Sequence, residues 1–346
     1  MNRLRILVTD GSATYRKLFT QAASELDNCT TVTCVADGAA ALERIRHNDY
    51  ELVVIDVEIP ELSLLLKEIT TQIPKAFVLV SARPSNAGDE LCTRALANGA
   101  ADYLIKPIHS SYSDNFDVIK RKMAGIFKAL DEKHEKKTEP ADQGRSKSIN
   151  ATNKTSFKPG ILLIASSTGG PMALEKILSR LGKGFPVPIL IVQHMLLQFT
   201  ETLAQNLDQK TLLRVKVAEN RETIEAGVVY IAPGGTHMKL DKDNKILLDR
   251  SPPIHGVRPA ADALFESVAE SFACAGVLAV ILTGMGRDGE KGLSMLKEKQ
   301  DCFCLAQSEE TCVVYGMPRA AIESGFADRI LDLDEIPLEL ERMVRD

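Results

Sequence analysis

Side chains able to do chemistry stand where apolar runs of this chain end. Ser166, Ser167 and Thr168 follow the run Ile161–Ala165 and precede Gly169-Gly170-Pro171. Gln193-His194 closes a second apolar run, His237 lies in APGGTHM, and Asp288 lies in TGMGRDG. A hydroxyl, an imidazole and a carboxylate are the parts of a nucleophilic hydrolase. Imidazole accepts the hydroxyl proton because its unperturbed pKa of ~6.5 leaves it mostly neutral near pH 7, and the acid holds the ring and stabilises imidazolium. A Gly turn opening a Pro-started helix also presents free N–H groups to negative charge, whether the oxyanion of an acyl intermediate or a ligand phosphate. Blander roles compete: a serine capping a helix, a satisfied core histidine, Asp288 capping the helix that follows it. Spacing alone separates neither Ser166 from Ser167 nor His194 from His237. There is no G-x-S-x-G elbow to mark a nucleophile, and no P-loop to favour a nucleotide.

A second constellation occupies the first half. Asp10, Asp56, Ser81 and Lys106-Pro107 each follow a strand pattern. Singly, each is an ordinary loop residue or cap. Together they suit a carboxylate nucleophile (Asp56), a hydroxyl and an ammonium that hold a phosphoryl group, and an acid for Mg²⁺.

Alternating strand and helix patterns must position both sets. In the first half, strands are predicted at Arg5–Val8, Thr31–Val35, Leu52–Ile55, Ala76–Val80 and Asp102–Ile105, with helical faces between them and a last helix from about Asp114 to Leu130. This repeat predicts a doubly wound, flavodoxin-like parallel sheet. After Lys158 the alternation restarts, with strands predicted at Ile161–Ala165, Pro188–Gln193, Arg214–Ala218, Val228–Ala232, Ile246–Leu248, Val277–Thr283 and Cys302–Ala306. The helix predicted over Ala260–Ala273 shows its core face in Leu264, Val268 and Phe272, with Pro259 opening it. The expected fold class is therefore α/β twice over: a doubly wound domain, then a second doubly wound, mostly parallel α/β domain.

At 346 residues the chain exceeds a single core. The expected division is 1–130, a charged Ser/Asn/Thr-rich linker at 131–158, and 159–346. With 26% charged residues and net charge −5, nothing calls for nucleic acid as a partner. No apolar run approaches the ~20 residues that span a bilayer. The N-terminus enters a strand pattern without a signal-peptide signature, so a cytoplasmic location without membrane insertion is expected. Seven scattered cysteines make no disulfide framework; Cys302 and Cys304 lack zinc-ligand company, and Cys274 and Cys312 read as buried thiols.

The first half resembles the response-regulator receiver family over about residues 4–108. Asp56 in VVIDVEIP matches the phosphoacceptor, Ser81 the switch hydroxyl, Lys106-Pro107 the Lys-Pro step and Tyr103 the switch aromatic, with Glu58 lining the same pocket. Asp10 and Asp56 are the implied Mg²⁺ ligands. Receivers usually carry two adjacent acids after the first strand, but this chain reads Thr9-Asp10-Gly11, and the Asp-Gly usual after Pro60 is missing as well. One ligand short, Mg²⁺ binding is expected to weaken, and phosphorylation to be poor or absent.

ASSTGGP, IVQHM, APGGTHM, LTGMGRDG and VVYGMPRAA, in this order over about 160–334, resemble the chemotaxis protein-glutamate methylesterase (CheB) family, whose architecture the receiver completes. The resemblance implies Ser167 as nucleophile, His194 as base and Asp288 as orienting acid, with backbone N–H groups at Thr168 and Met285 for the oxyanion. It implies hydrolysis of glutamyl methyl esters on methyl-accepting chemoreceptors, deamidation of receptor glutamine by the same route, no cofactor in the esterase domain, control through the receiver, and a chemotaxis histidine kinase as phosphodonor. A catalytically weak signalling scaffold is the alternative that the degenerate receiver suggests. Two departures fall near the presumed substrate edge: Leu196 replaces the usual Pro after Gln-His-Met, and the family's Arg-His-Arg-Pro reads Gly256-Val257-Arg258-Pro259, leaving His255 as the nearest histidine.

Overall fold

The computed structural model describes residues 4–26, 29–135, 157–272 and 275–345. The chain divides into two compact units, Met1–Asp142 and Gln143–Asp346. Most of the predicted linker, and Cys274, lie outside the described residues.

The first unit runs β1 (Leu4–Thr9), α1 (Ala13–Ser24), β2 (Cys29–Val35), α2 (Gly38–His47), β3 (Leu52–Asp56), α3 (Leu62–Gln72), β4 (Phe77–Ala82), α4 (Asn86–Ala97), β5 (Asp102–Ile105) and α5 (Tyr112–Glu135). Its sheet has the order β2-β1-β3-β4-β5, all parallel, the flavodoxin-like doubly wound arrangement. Every residue of β3 and β4 is buried, as strands covered by helices on both faces require. The last helix extends to Glu135, past the predicted stop at Leu130.

The second unit runs β6 (Pro159–Ser166), α6 (Gly170–Leu178), β7 (Ile189–Gln193), α7 (Leu197–Lys210), β8 (Arg214–Val217), β9 (Val228–Ile231), β10 (His237–Leu240), β11 (Ile246–Asp249), α8 (Ala261–Ser271), β12 (Gly276–Ile281), α9 (Glu290–Lys299), β13 (Cys302–Gln307), α10 (Met317–Glu323), β14 (Arg329–Leu331) and α11 (Ile336–Arg345). Seven of these strands form one sheet, β14-β13-β12-β6-β7-β9-β8, with every pairing parallel. β10 and β11 form a separate antiparallel hairpin, so the strand predicted at Ile246 leaves the main sheet. Leu264 and Val268 of α8 are fully buried in the core with the inner strands β6 and β12. Pro259 does not open α8; it precedes the N-cap Ala260.

Candidate functional site

Parallel strands end together, so the carboxyl edges of β6, β7 and β12 bring distant segments side by side. Ser166 pairs in register with Gln193, and the His194 amide donates to the Ser166 carbonyl at 3.1 Å, which sets Ser167 and His194 on adjacent strand ends. The turn after β6 is held from three sides. The Ser167 amide donates to the Thr283 carbonyl (3.0 Å), Thr283 Oγ1 donates to the Thr168 carbonyl (2.9 Å), and Gln193 Nε2 donates to the carbonyls of Ser167 (2.9 Å) and His194 (3.1 Å). Gly169 takes φ +80° as N-cap of α6, and Pro171 follows in the first turn.

The two serines are thereby separated. Ser166 is fully buried and donates to Gln193 Oε1 at 2.7 Å. Ser167 is partly exposed, and among the described residues its hydroxyl makes no hydrogen bond. Gly284, beyond β12, lets the turn approach: a Cβ there would stand 2.7 Å from Ser167 Cβ. Among the described residues, the Met285 amide next to it donates no hydrogen bond, and Thr168 is buried in the turn beside Ser167.

The histidines divide as clearly. His194 Nε2 meets Asp288 Oδ2 at 2.7 Å, with both side chains nearly buried. His237 is fully buried and engaged on both nitrogens by main chain: Nδ1 accepts from the Ala260 amide (3.2 Å) and Nε2 donates to the Pro252 carbonyl (3.2 Å). It therefore braces the loop ahead of α8 instead of facing Ser167. Asp288 does not cap the helix that follows it. Its oxygens accept from the amides of Ala261 (2.6 Å) and Asp262 (3.0 Å) in the first turn of α8. Burial alone would raise its pKa, but His194 and these two amides outweigh burial and hold the carboxyl below its ordinary value. An imidazole bonded to the acid through Nε2–H keeps Nδ1 as the nitrogen able to take a proton.

In the first unit, Asp10, Asp56 and Lys106 converge. Lys106 Nζ lies 2.7 Å from Asp10 Oδ2 and 2.8 Å from Asp56 Oδ2, fully buried over the Tyr15 ring. The remaining oxygens are engaged too: Asp10 Oδ1 accepts from the Ser12 amide (2.8 Å) and Asp56 Oδ1 from the Glu58 amide (3.2 Å). Burial is the largest influence on Asp10 and raises its pKa despite Lys106. Glu58 reaches Asp56 only through its main chain; its carboxylate is half exposed and lies 4.0 Å from Arg83. Ser81 Oγ, in register with Asp56, is buried without a hydrogen-bond partner among the described residues. A divalent cation fits this pocket badly. Two carboxylates remain, all four of their oxygens are engaged, and Gly11 brings no third.

Several contributors carried little sequence signal. Gln193, Thr283 and Gly284 stand inside the motifs IVQHM and LTGMGRDG, but nothing in their spacing shows that they hold the turn after β6. Asp262, an acid in the first turn of α8, carries no sequence mark beyond ordinary dipole compensation.

Fold and site define a class: a receiver-type domain followed by a parallel α/β domain that sets a serine beside an imidazole–carboxylate pair on one sheet edge. The comparisons narrow it. The profile described as "CheB methylesterase" matches residues 162–340, and that described as "Response regulator receiver domain" matches 6–113. A protein of Symbiobacterium thermophilum named protein-glutamate methylesterase/protein-glutamine glutaminase is 37% identical over 355 residues, covering 99% of this chain and 97% of its own. A Geobacillus kaustophilus protein of the same name is 37% identical over 351 residues, covering 99% of each. The crystal structure of the Thermotoga maritima CheB methylesterase catalytic domain is 44% identical with a TM-score of 0.51, covering 54% of this chain and all of its own. The chain belongs to the CheB methylesterase family. No helix among the described residues is long and apolar enough to cross a membrane.

Proposed function

We propose that this chain is a protein-glutamate methylesterase and protein-glutamine glutaminase acting on methyl-accepting chemoreceptors in the cytoplasm. The observation that carries the reading is the 2.7 Å pair between His194 and Asp288 on the strand end next to Ser167, in a chain of this family. Ser167 Oγ attacks the γ-carbonyl of a methylated glutamate while His194 Nδ1 takes its proton. Asp288 fixes the ring and stabilises imidazolium. The N–H groups of Met285 and Thr168 receive the oxyanion. Imidazolium protonates the departing methanol, and water then attacks the acyl-enzyme with His194 again as base. Ammonia replaces methanol as leaving group when the substrate is glutamine. No cofactor takes part in these steps.

The receiver keeps its phosphoryl-binding parts, Ser81 and Lys106, around the phosphoacceptor Asp56. With the cation site reduced to Asp10 and Asp56, we propose that transfer from a chemotaxis histidine kinase is slow and that control through this domain is correspondingly weak.

Methanol release from methylated receptor, measured with the full chain and with Ser167→Ala, tests the assignment. Release by the parent and none by the variant is expected. Equal release by both would move the nucleophile elsewhere, and none from either, with no fluorophosphonate labelling of Ser167, would make the chain a signalling scaffold.

A further inference from the structure

We infer that Asp262, outside the proposed triad, is a positioning residue of the esterase site: it exchanges helix caps with Asp288 and, through its charge, sets the basicity of His194. The inference rests on the assignment of Ser167, His194 and Asp288 above. Neither α8 nor α9 has a side-chain cap on its own N-cap residue, Ala260 and Gly289. Each is capped by an acid belonging to the other. Asp288, one residue ahead of Gly289, accepts from Ala261 and Asp262 of α8. Asp262 Oδ1 accepts from Gly289 (3.0 Å) and Gly292 (2.8 Å) of α9. Moving either helix therefore moves the acid that orients His194.

Capping alone does not need a charge here, since Asn, Ser or Thr would serve. Asp262 is fully buried, and its carboxylate lies within 4.8 Å of a carboxylate oxygen of Asp288. Two buried carboxylates at that distance repel. The repulsion is tolerated because Asp262 Oδ2 is anchored at 2.8 Å by Nε2 of His255, which is half exposed on the loop ahead of α8. The remaining charges around it pair among themselves: Glu266 of α8 with Lys291 of α9 (2.8 Å), and Glu290 of α9 with Arg287 (2.6 Å). The charge of Asp262 thus acts on Asp288 and, beyond it, on His194, where negative charge favours the imidazolium that forms during attack.

The test compares Asp262→Asn, His255→Ala, Ser167→Ala and Asp288→Ala in the full chain, reading kcat and KM for methanol release and the pH profile of kcat/KM. Asn retains an oxygen for both Gly amides but removes the charge. Asp262→Asn is expected to keep KM within about twofold, lower kcat about tenfold, and move the acid limb of the profile down by roughly half a pH unit, because His194 becomes less basic. His255→Ala, at an exposed loop position, is expected to lower kcat several-fold without changing KM. Wild-type kcat and an unmoved acid limb in Asp262→Asn, together with wild-type kcat in His255→Ala, overturn the inference while Ser167→Ala and Asp288→Ala stay inactive. Activity in Ser167→Ala or Asp288→Ala overturns the triad itself, whatever Asp262 does.

Discussion

The Ser166 hydroxyl ends on Gln193 Oε1 at 2.7 Å, whereas the Ser167 hydroxyl, one residue on, has no hydrogen-bond partner among the described residues. Adjacent serines thus differ: Ser166 ties β6 to β7, whereas the hydroxyl of Ser167, the proposed nucleophile, stays unengaged. Ser167→Ala is expected to lower kcat by about 10⁴-fold or more with folding intact. Ser166→Ala should keep turnover and lose about 1–2 kcal/mol of stability, because the buried Gln193 oxygen loses its donor. Methanol release and thermal melts of the two variants distinguish them.

Gly284 lies against Ser167, the proposed nucleophile. A methyl group there would stand 2.7 Å from Ser167 Cβ and press on the Met317 sulfur, so the turn must shift. Gly284→Ala is expected to cost about 10²-fold in kcat, the scale of an ångström of misplacement, with a smaller change in KM. Steady-state kinetics on methylated receptor reads both.

Space for a second acid exists in the receiver. Gly11 is exposed, and an added Cβ would meet nothing nearer than the Ala36 carbonyl at 4.0 Å. Gly11→Asp is expected to raise Mg²⁺ affinity by about tenfold or more in calorimetric titration and to speed labelling of Asp56 by acetyl phosphate. Stable, Mg²⁺-dependent labelling of the parent chain at the rate of the variant would show that the missing carboxylate does not matter.

The depressed pKa of Asp288 has a signed consequence for stability. Its folded value lies below the unfolded one of ~3.9, so its contribution is fully present above that value and is lost as pH falls through the folded pKa. The melting-temperature gap between the parent and Asp288→Asn should hold constant from neutral pH to about 5 and narrow below about 4. A gap that widens on acidification would contradict the paired geometry.

Thiol reactivity should follow burial. Cys34 is exposed, whereas Cys92, Cys302, Cys304 and Cys312 are buried. Burial pushes the Cys92 thiol up to about 12 and that of Cys304 well above its ordinary value. Native-state alkylation mapped by mass spectrometry is expected to modify Cys34 and to leave these four untouched until the chain unfolds.

The sheets were legible because fully buried parallel strands read as unbroken apolar runs: Leu52–Ile55 and Ile161–Ala165 announce themselves. β10 begins within APGGTHM and is only four residues long, and β14 has only three, too short to give a period. Ser167, His194 and Asp288 were visible as polar residues at strand ends. The choice between His194 and His237 was not, because it turns on Pro252 and Ala260, main-chain partners that only folding brings to His237. Asp262 was invisible for the same reason: its cap partners are amides 27 and 30 residues away.

The outermost strands of the seven-stranded sheet have a further effect. β8 and β14 are four and three residues long, and they carry Arg214, Lys216 and Arg329. Brief, cationic margins make poor templates for a stray extended peptide, so the sheet resists growing sideways into aggregates even though its interior strands are almost wholly hydrophobic.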